Sequence, residues 1–154
     1  MYAETTIETA PKTAEVAVQT GICAGTTIMT LDGEMPIEHL SVGDRIITRD
    51  SGMSVIKDIS VKQVQLQPIR IKAGSLGHTR PDRDMMVTPG ANLHIRDWRA
   101  EALFGTTSAS VSAERLVDGE FLSTADAREM TVYHITFDRE HIIYADGIEM
   151  IAGA

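Results

Sequence analysis

An all-β domain is predicted from two features of the chain. From Gly21 onward, short apolar runs are separated by turn signals about every 8 to 15 residues. The turn signals themselves are tight-turn sequences: Asp32-Gly33 stands between Thr30 and Met35, and Val42-Gly43-Asp44 feeds the run Arg45-Ile46-Ile47-Thr48-Arg49. Strands are expected at Thr26–Thr30, Asp44–Thr48, Ser54–Leu66, Ile69–Lys72, Met85–Thr88, Leu93–Ile95, Thr131–Phe137 and Ile142–Ala145. Ser54–Leu66 is long and mixes apolar Val55, Ile59, Val61, Val64 and Leu66 with Lys57, Lys62 and Gln65, so a bend or bulge is expected within it. Short helical turns are expected at Pro36–Leu40, Asp97–Phe104 and Ser112–Val117, the last with Ser112 as N-cap.

The 154 residues suit one ordinary domain. With 43% hydrophobic and 23% charged residues the composition is that of a globular chain. A formal net charge of −8 argues against a nucleic-acid backbone or an anionic membrane as main partner, since both demand clustered Lys and Arg. No stretch approaches the roughly 18 apolar residues of a membrane span. Met1 to Thr20 is acidic and threonine-rich, without the apolar run of a secretory signal, so no compartment is indicated. The domain organisation read from these shifts is a flexible N-terminal tail over residues 1–21, one domain over 22–150 and a C-terminal tail over 151–154.

The single cysteine, Cys23, excludes an internal disulfide and any multi-thiolate zinc site. It sits at the junction between the tail and the first strand. A cysteine there can attack the carbonyl just before it, that of Ile22, because a five-membered ring brings thiolate and carbonyl together at very high effective concentration. A small buried thiol at the start of a strand is the plain alternative.

The run Cys-Ala-Gly-Thr-Thr-Ile-Met-Thr-Leu-Asp-Gly-Glu-Met-Pro-Ile-Glu-His-Leu-Ser-Val-Gly-Asp-Arg-Ile-Ile-Thr-Arg-Asp, Cys23 to Asp50, resembles the opening of the Hedgehog/intein (Hint) domain. Met86-Val87-Thr88-Pro89 looks like the second block of that family, and Val132-Tyr133-His134 to Ala145-Asp146-Gly147 like its closing strands. The stretch from Trp98-Arg99-Ala100-Glu101 to Phe104-Gly105 looks like the bacterial stand-alone Hint-type proteins. The resemblance covers about residues 21 to 150.

It implies a horseshoe-like β fold that performs an N-to-S acyl shift on its own chain, turning the Ile22-Cys23 peptide into a thioester. It further implies Cys23 as nucleophile and Thr88 as orienting or oxyanion group. The substrate would be the chain's own N-terminal segment, the acceptor water or a small nucleophile, and no cofactor or metal is called for. A monomer is expected, with neither nucleic acid nor membrane as partner.

Three departures bear on activity. Where the family places a histidine three residues after the Thr, this chain has Ala91, which can neither donate nor accept a proton. The nearest histidine, His94, is an odd number of residues further on, so a straight strand puts it on the opposite face and only a bulge or local turn returns it. His141 is a candidate acid or base on the intein-type alignment of the closing block, with Asp138 as an assisting carboxylate. On the alignment of the stand-alone relatives the histidine position falls on Glu140. The end, Ile148 to Ala154, has no terminal Asn or following nucleophile, so release of the N-terminal segment is expected and full splicing is not.

His134, Asp138 and His141 are spaced for a helix, not for strand-turn-strand, and no metal site is expected from them. Two function classes follow: a self-processing domain impaired by Ala91, or a catalytically degenerate Hint-fold binding or regulatory module. Ala91 is also compatible with a replacement that traps the unprocessed precursor.

Overall fold

The structure, a computed structural model, describes residues 19–77 and 79–153. The expected flexible tail falls, for residues 1–18, outside the described residues. Fourteen strands are described there: β1 (Ile22–Cys23), β2 (Thr27–Thr30), β3 (Gly33–Pro36), β4 (Arg45–Thr48), β5 (Gly52–Val55), β6 (Asp58–Leu66), β7 (Ile69–Ile71), β8 (Met85–Val87), β9 (Asn92–Ile95), β10 (Ala109–Ser112), β11 (Leu122–Thr124), β12 (Arg128–Thr136), β13 (His141–Ala145) and β14 (Ile148–Ala152). One helix, α1 (Trp98–Phe104), and single 3-10 turns at Ile37–His39 and Ala113–Leu116 complete them. The all-β expectation and the three helical turns agree with this. No helix among the described residues is long and apolar enough to cross a membrane.

The strands form three sheets. The largest runs β10-β9-β14-β13-β2-β4-β5, with β3 paired to β2. A second, β1-β12-β6, carries Cys23 on its edge strand, and a third, β11-β7-β8, holds the approach to Thr88. All strand pairs are antiparallel.

The long strand expected at Ser54–Leu66 is two strands belonging to two sheets. At Ile56-Lys57 the chain changes partners: the Ile56 N–H donates to the Asp44 carbonyl at 2.9 Å, whereas the Lys57 N–H donates to the Thr136 carbonyl at 2.7 Å. Ile56, 1% exposed, is the anchor at the crossover. Strands that switch sheets in this way make the corners of packed β folds.

Sequence chemistry places the hairpins. In the β2–β3 turn Asp32 sits beside Thr30, whose hydroxyl donates to the Gly33 carbonyl at 2.7 Å and accepts from the Asp32 N–H at 3.0 Å. Between β13 and β14, Asp146 and Gly147 have φ of 49° and 89°. Two consecutive positive φ values are what a two-residue hairpin turn of the right-handed twist requires, and Asp-Gly is a preferred dipeptide for it. Helix α1 begins at Asp97, whose carboxylate accepts from the Arg99 N–H at 3.0 Å, and ends at Gly105 in the left-handed region.

Residues 151–154 are not a tail as far as they are described. Ile151 and Ala152 belong to β14, and Gly153 bridges Thr136. The strand continues because its partner β13 is long enough to pair through His141 with Ala152. The core is built from Ile28, Ile46, Ile71, Leu93, Leu122 and Ile143, all at most 1% exposed, and it also includes Ile22 at 3%.

Candidate functional site

The Ile22-Cys23 peptide lies on β1, opposite Tyr133 and Val132 of β12. The Ala24 N–H donates to the Thr131 carbonyl at 3.0 Å. Bonded and non-bonded pairs alternate along an antiparallel ladder, so the next bonded pair is Ile22 with Tyr133, and the Tyr133 N–H serves the Ile22 carbonyl. Cys23 is 3% exposed, and burial pushes its thiol up to about 11 from 9.0. At neutral pH the sulfur therefore carries its proton.

Upstream of the junction the chain is held on the turn that follows β8. Thr88, fully buried, donates its hydroxyl to the Gly21 carbonyl at 3.1 Å. The Gly90 N–H donates to the Gln19 carbonyl at 2.7 Å. The turn is closed by the Ala91 N–H on the Thr88 carbonyl at 3.0 Å, and it is tied down by Ala113 and Glu114 N–H groups on the Ala91 and Pro89 carbonyls. Gln19 to Gly21, placed in the tail on composition, are thus engaged by the domain.

His134, weighed from the sequence only as a metal ligand, stands beside the segment before Cys23. Its Nε2 is 3.1 Å from the Thr20 hydroxyl, and a Cβ on Gly21 would stand 2.8 Å from its Cε1. Side chains alternate along a strand, so His134 shares a face with Val132 and with Cys23, which stands opposite Val132. Its Nδ1 is buried without a partner, and burial, helped by the Lys62 charge, pulls its pKa below the ordinary histidine value. The neutral imidazole is the form at pH 7. The signal was the Val132-Tyr133-His134 run itself, but its register against β1 is not local information.

The other sequence candidates are spread apart. Ala91, 4% exposed, lines a cleft of about 410 Å³ with Thr20, Gly21, Ile22 and His134, so position 91 faces the junction. His94 does not. β9 runs straight, with Leu93 and Ile95 buried inward and His94 on the outer face, 3.9 Å from Glu149 in a separate cleft of about 510 Å³. No bulge brings it round, so the candidate proton donor at His94 is withdrawn.

His141 is 3% exposed and has both nitrogens occupied, Nδ1 with Asp50 at 2.9 Å and Nε2 with Asp138 at 2.9 Å. Asp138 also accepts from the Ser54 hydroxyl at 3.3 Å, and its carboxyl is held below the usual range, chiefly by His141. This cluster ties the β4–β5 turn to the β12–β13 turn. Glu140, its neighbour, lines the cleft beside the junction.

Downstream of Cys23, Asp146 clamps the start of β2. Its Oδ1 accepts from the Thr27 hydroxyl at 2.6 Å and the Thr27 N–H at 3.2 Å, and Arg83 reaches both Asp146 and the Gly25 carbonyl. The Glu38 carboxylate accepts from the Gly25 N–H at 2.8 Å. Both sides of the Ile22-Cys23 bond are therefore fixed by side chains from distant segments.

The sheet-switching, all-β architecture is that of Hint and intein domains. The chain belongs to the Hint domain family, whose model matches residues 20–150. Among solved structures it is similar to a bacterial intein-like domain from Clostridium thermocellum, at TM-score 0.57 and 16% identity over 88% of this chain and 99% of that one. It is also similar to a DnaB intein from Synechocystis sp. PCC 6803, at TM-score 0.56 and 12% identity over 87% of this chain and 99% of that one. No curated protein matches it in sequence.

Proposed function

We propose that the domain acts once on its own chain, converting the Ile22-Cys23 peptide to a thioester and releasing the N-terminal segment, at a rate limited by Ala91. The Cys23 Sγ attacks the Ile22 carbonyl carbon; a C–S bond forms, the C–N bond breaks, and the thiol proton ends on the departing Cys23 nitrogen. Water or a small nucleophile then takes the acyl group and returns the thiol. The observation that carries this reading is the holding of Gln19 to Ile22 by Gly90, Thr88, His134 and Tyr133. That placement supports the proximity the shift needs.

In this reading the Tyr133 N–H supports the developing oxyanion, and Thr88 positions the acyl segment. His134, neutral and on the face of Cys23, relays the thiol proton towards the nitrogen. A second donor at position 91 is missing. General acid assistance is typically worth about 10² to 10⁴ in rate, so the shift is slow.

A second reading, a module that holds a peptide without cutting it, is favoured by the protonated, buried Cys23 together with Ala91. Intact mass of purified protein with and without hydroxylamine, beside Ala91→His and Cys23→Ala, separates the two. Loss of residues 1–22, faster with Ala91→His and absent with Cys23→Ala, supports self-processing; an intact mass in every case supports the holding module.

A further inference from the structure

We infer that the site selects the acyl segment by its last two residues, and that it takes segments ending in glycine followed by a medium-sized aliphatic residue. The inference rests on the proposed acyl shift and concerns what stands at the Cβ positions of residues 21 and 22, which take no part in the bond changes.

Ile22 would be the acyl residue, yet it is 3% exposed and part of the hydrophobic core. The side chain to be released is thus a packing element of the domain that releases it. A smaller residue leaves a cavity and a polar one buries an unpaired group, and both weaken the hold on the junction. Interiors pack too tightly to absorb a larger ring without strain.

Gly21 is read by a different device. Its φ is +111°, a conformation that side-chain-bearing residues rarely adopt, and a Cβ there would meet the His134 ring at 2.8 Å and the Tyr133 carbonyl oxygen at 3.2 Å. Any other residue must displace the imidazole or turn the Gly21 carbonyl away from the Thr88 hydroxyl. The same contact thus couples the identity of residue 21 to both His134 and Thr88.

The test uses the full chain carrying Gly21→Ala, Ile22→Val, Ile22→Ala or Ile22→Asp, with two readouts. One is the rate of hydroxylamine-induced release by intact mass; the other is amide hydrogen exchange at Ala24 and Tyr133, whose N–H groups are held in the β1–β12 ladder, with β4 and β5 as a control for the fold. Gly21→Ala and Ile22→Ala should each slow release at least about tenfold and speed exchange at Ala24 and Tyr133 by a similar factor, while β4 and β5 stay protected. Ile22→Val should stay within about threefold of the parent, and Ile22→Asp should abolish release.

Release and exchange unchanged in Gly21→Ala and Ile22→Ala would overturn the inference. If the parent chain releases nothing, the acyl shift fails but the selection does not: faster exchange at Ala24 and Tyr133 in Gly21→Ala then supports it as a rule for holding, and unchanged exchange refutes it.

Discussion

The Thr88 hydroxyl donates to the Gly21 carbonyl at 3.1 Å across 67 positions of sequence. That bond fixes the segment before Cys23 on the turn after β8, and Thr88 has no solvent exposure with which to replace it. A single net hydrogen bond is worth about 1 kcal/mol. Thr88→Val, which keeps the shape and removes the donor, should slow hydroxylamine-induced release about fivefold to tenfold. A time course of intact mass checks this, and a rate equal to that of the parent would remove Thr88 from the positioning machinery.

Ala91 lines the cleft with Thr20, Gly21, Ile22 and His134, and its methyl group offers no proton. Added imidazole should speed release from the parent chain and have little effect on Ala91→His, which supplies its own ring. The comparison at fixed pH and ionic strength checks it; equal acceleration of both proteins would show that imidazole acts as a solution nucleophile instead.

The thiol of Cys23 has its pKa raised by burial from 9.0 to about 11. The folded state therefore holds this proton more tightly than the unfolded chain does. The resulting stability is complete below pH 9 and is lost as pH rises through 11, by about 3 kcal/mol for two pKa units. Urea unfolding at pH 8 and pH 11 should show the parent losing more stability than Cys23→Ala, the difference being this contribution.

Asp50 behaves in the opposite sense. Burial pushes its carboxyl up, but the Ile142 N–H and His141 outweigh that and hold it below 3.8. The stability this contributes is present above the ordinary carboxylate value and is lost as pH falls through the lowered one. Asp50→Asn should be less stable at pH 7, by about 1–3 kcal/mol, and should lose less than the parent between pH 5 and pH 3, as followed by thermal melts.

His141→Gln breaks the same cluster and separates structure from chemistry. It should lower Tm while leaving the release rate of the folded protein within about threefold of the parent, because both ring nitrogens are committed to Asp50 and Asp138. A drop of a hundredfold or more without a change in Tm would place His141 in the reaction.

Much of this molecule was legible in the order of its residues. The tight turn at Asp32-Gly33, the short apolar runs and the lone Cys23 are local features, and local chemistry determines what they do. Ala91 was equally plain, since a methyl group has no proton to offer wherever it lies.

Only the tertiary structure decided which side chains meet the junction. Cys23 and Val132 share a face because of the β1–β12 register, and a slip of one residue would have turned His134 away and brought Tyr133 in. The straightness of β9 keeps His94 away from the junction, and His141 is held by carboxylates 91 and 3 residues away. Ile22, the first residue of the domain on the sequence reading, is a core residue, and the packing that buries it comes from strands far along the chain. Turn and strand preferences act over a few residues, whereas register and the switch of sheets at Ile56-Lys57 are settled by pairings between distant segments, and those pairings place the chemistry.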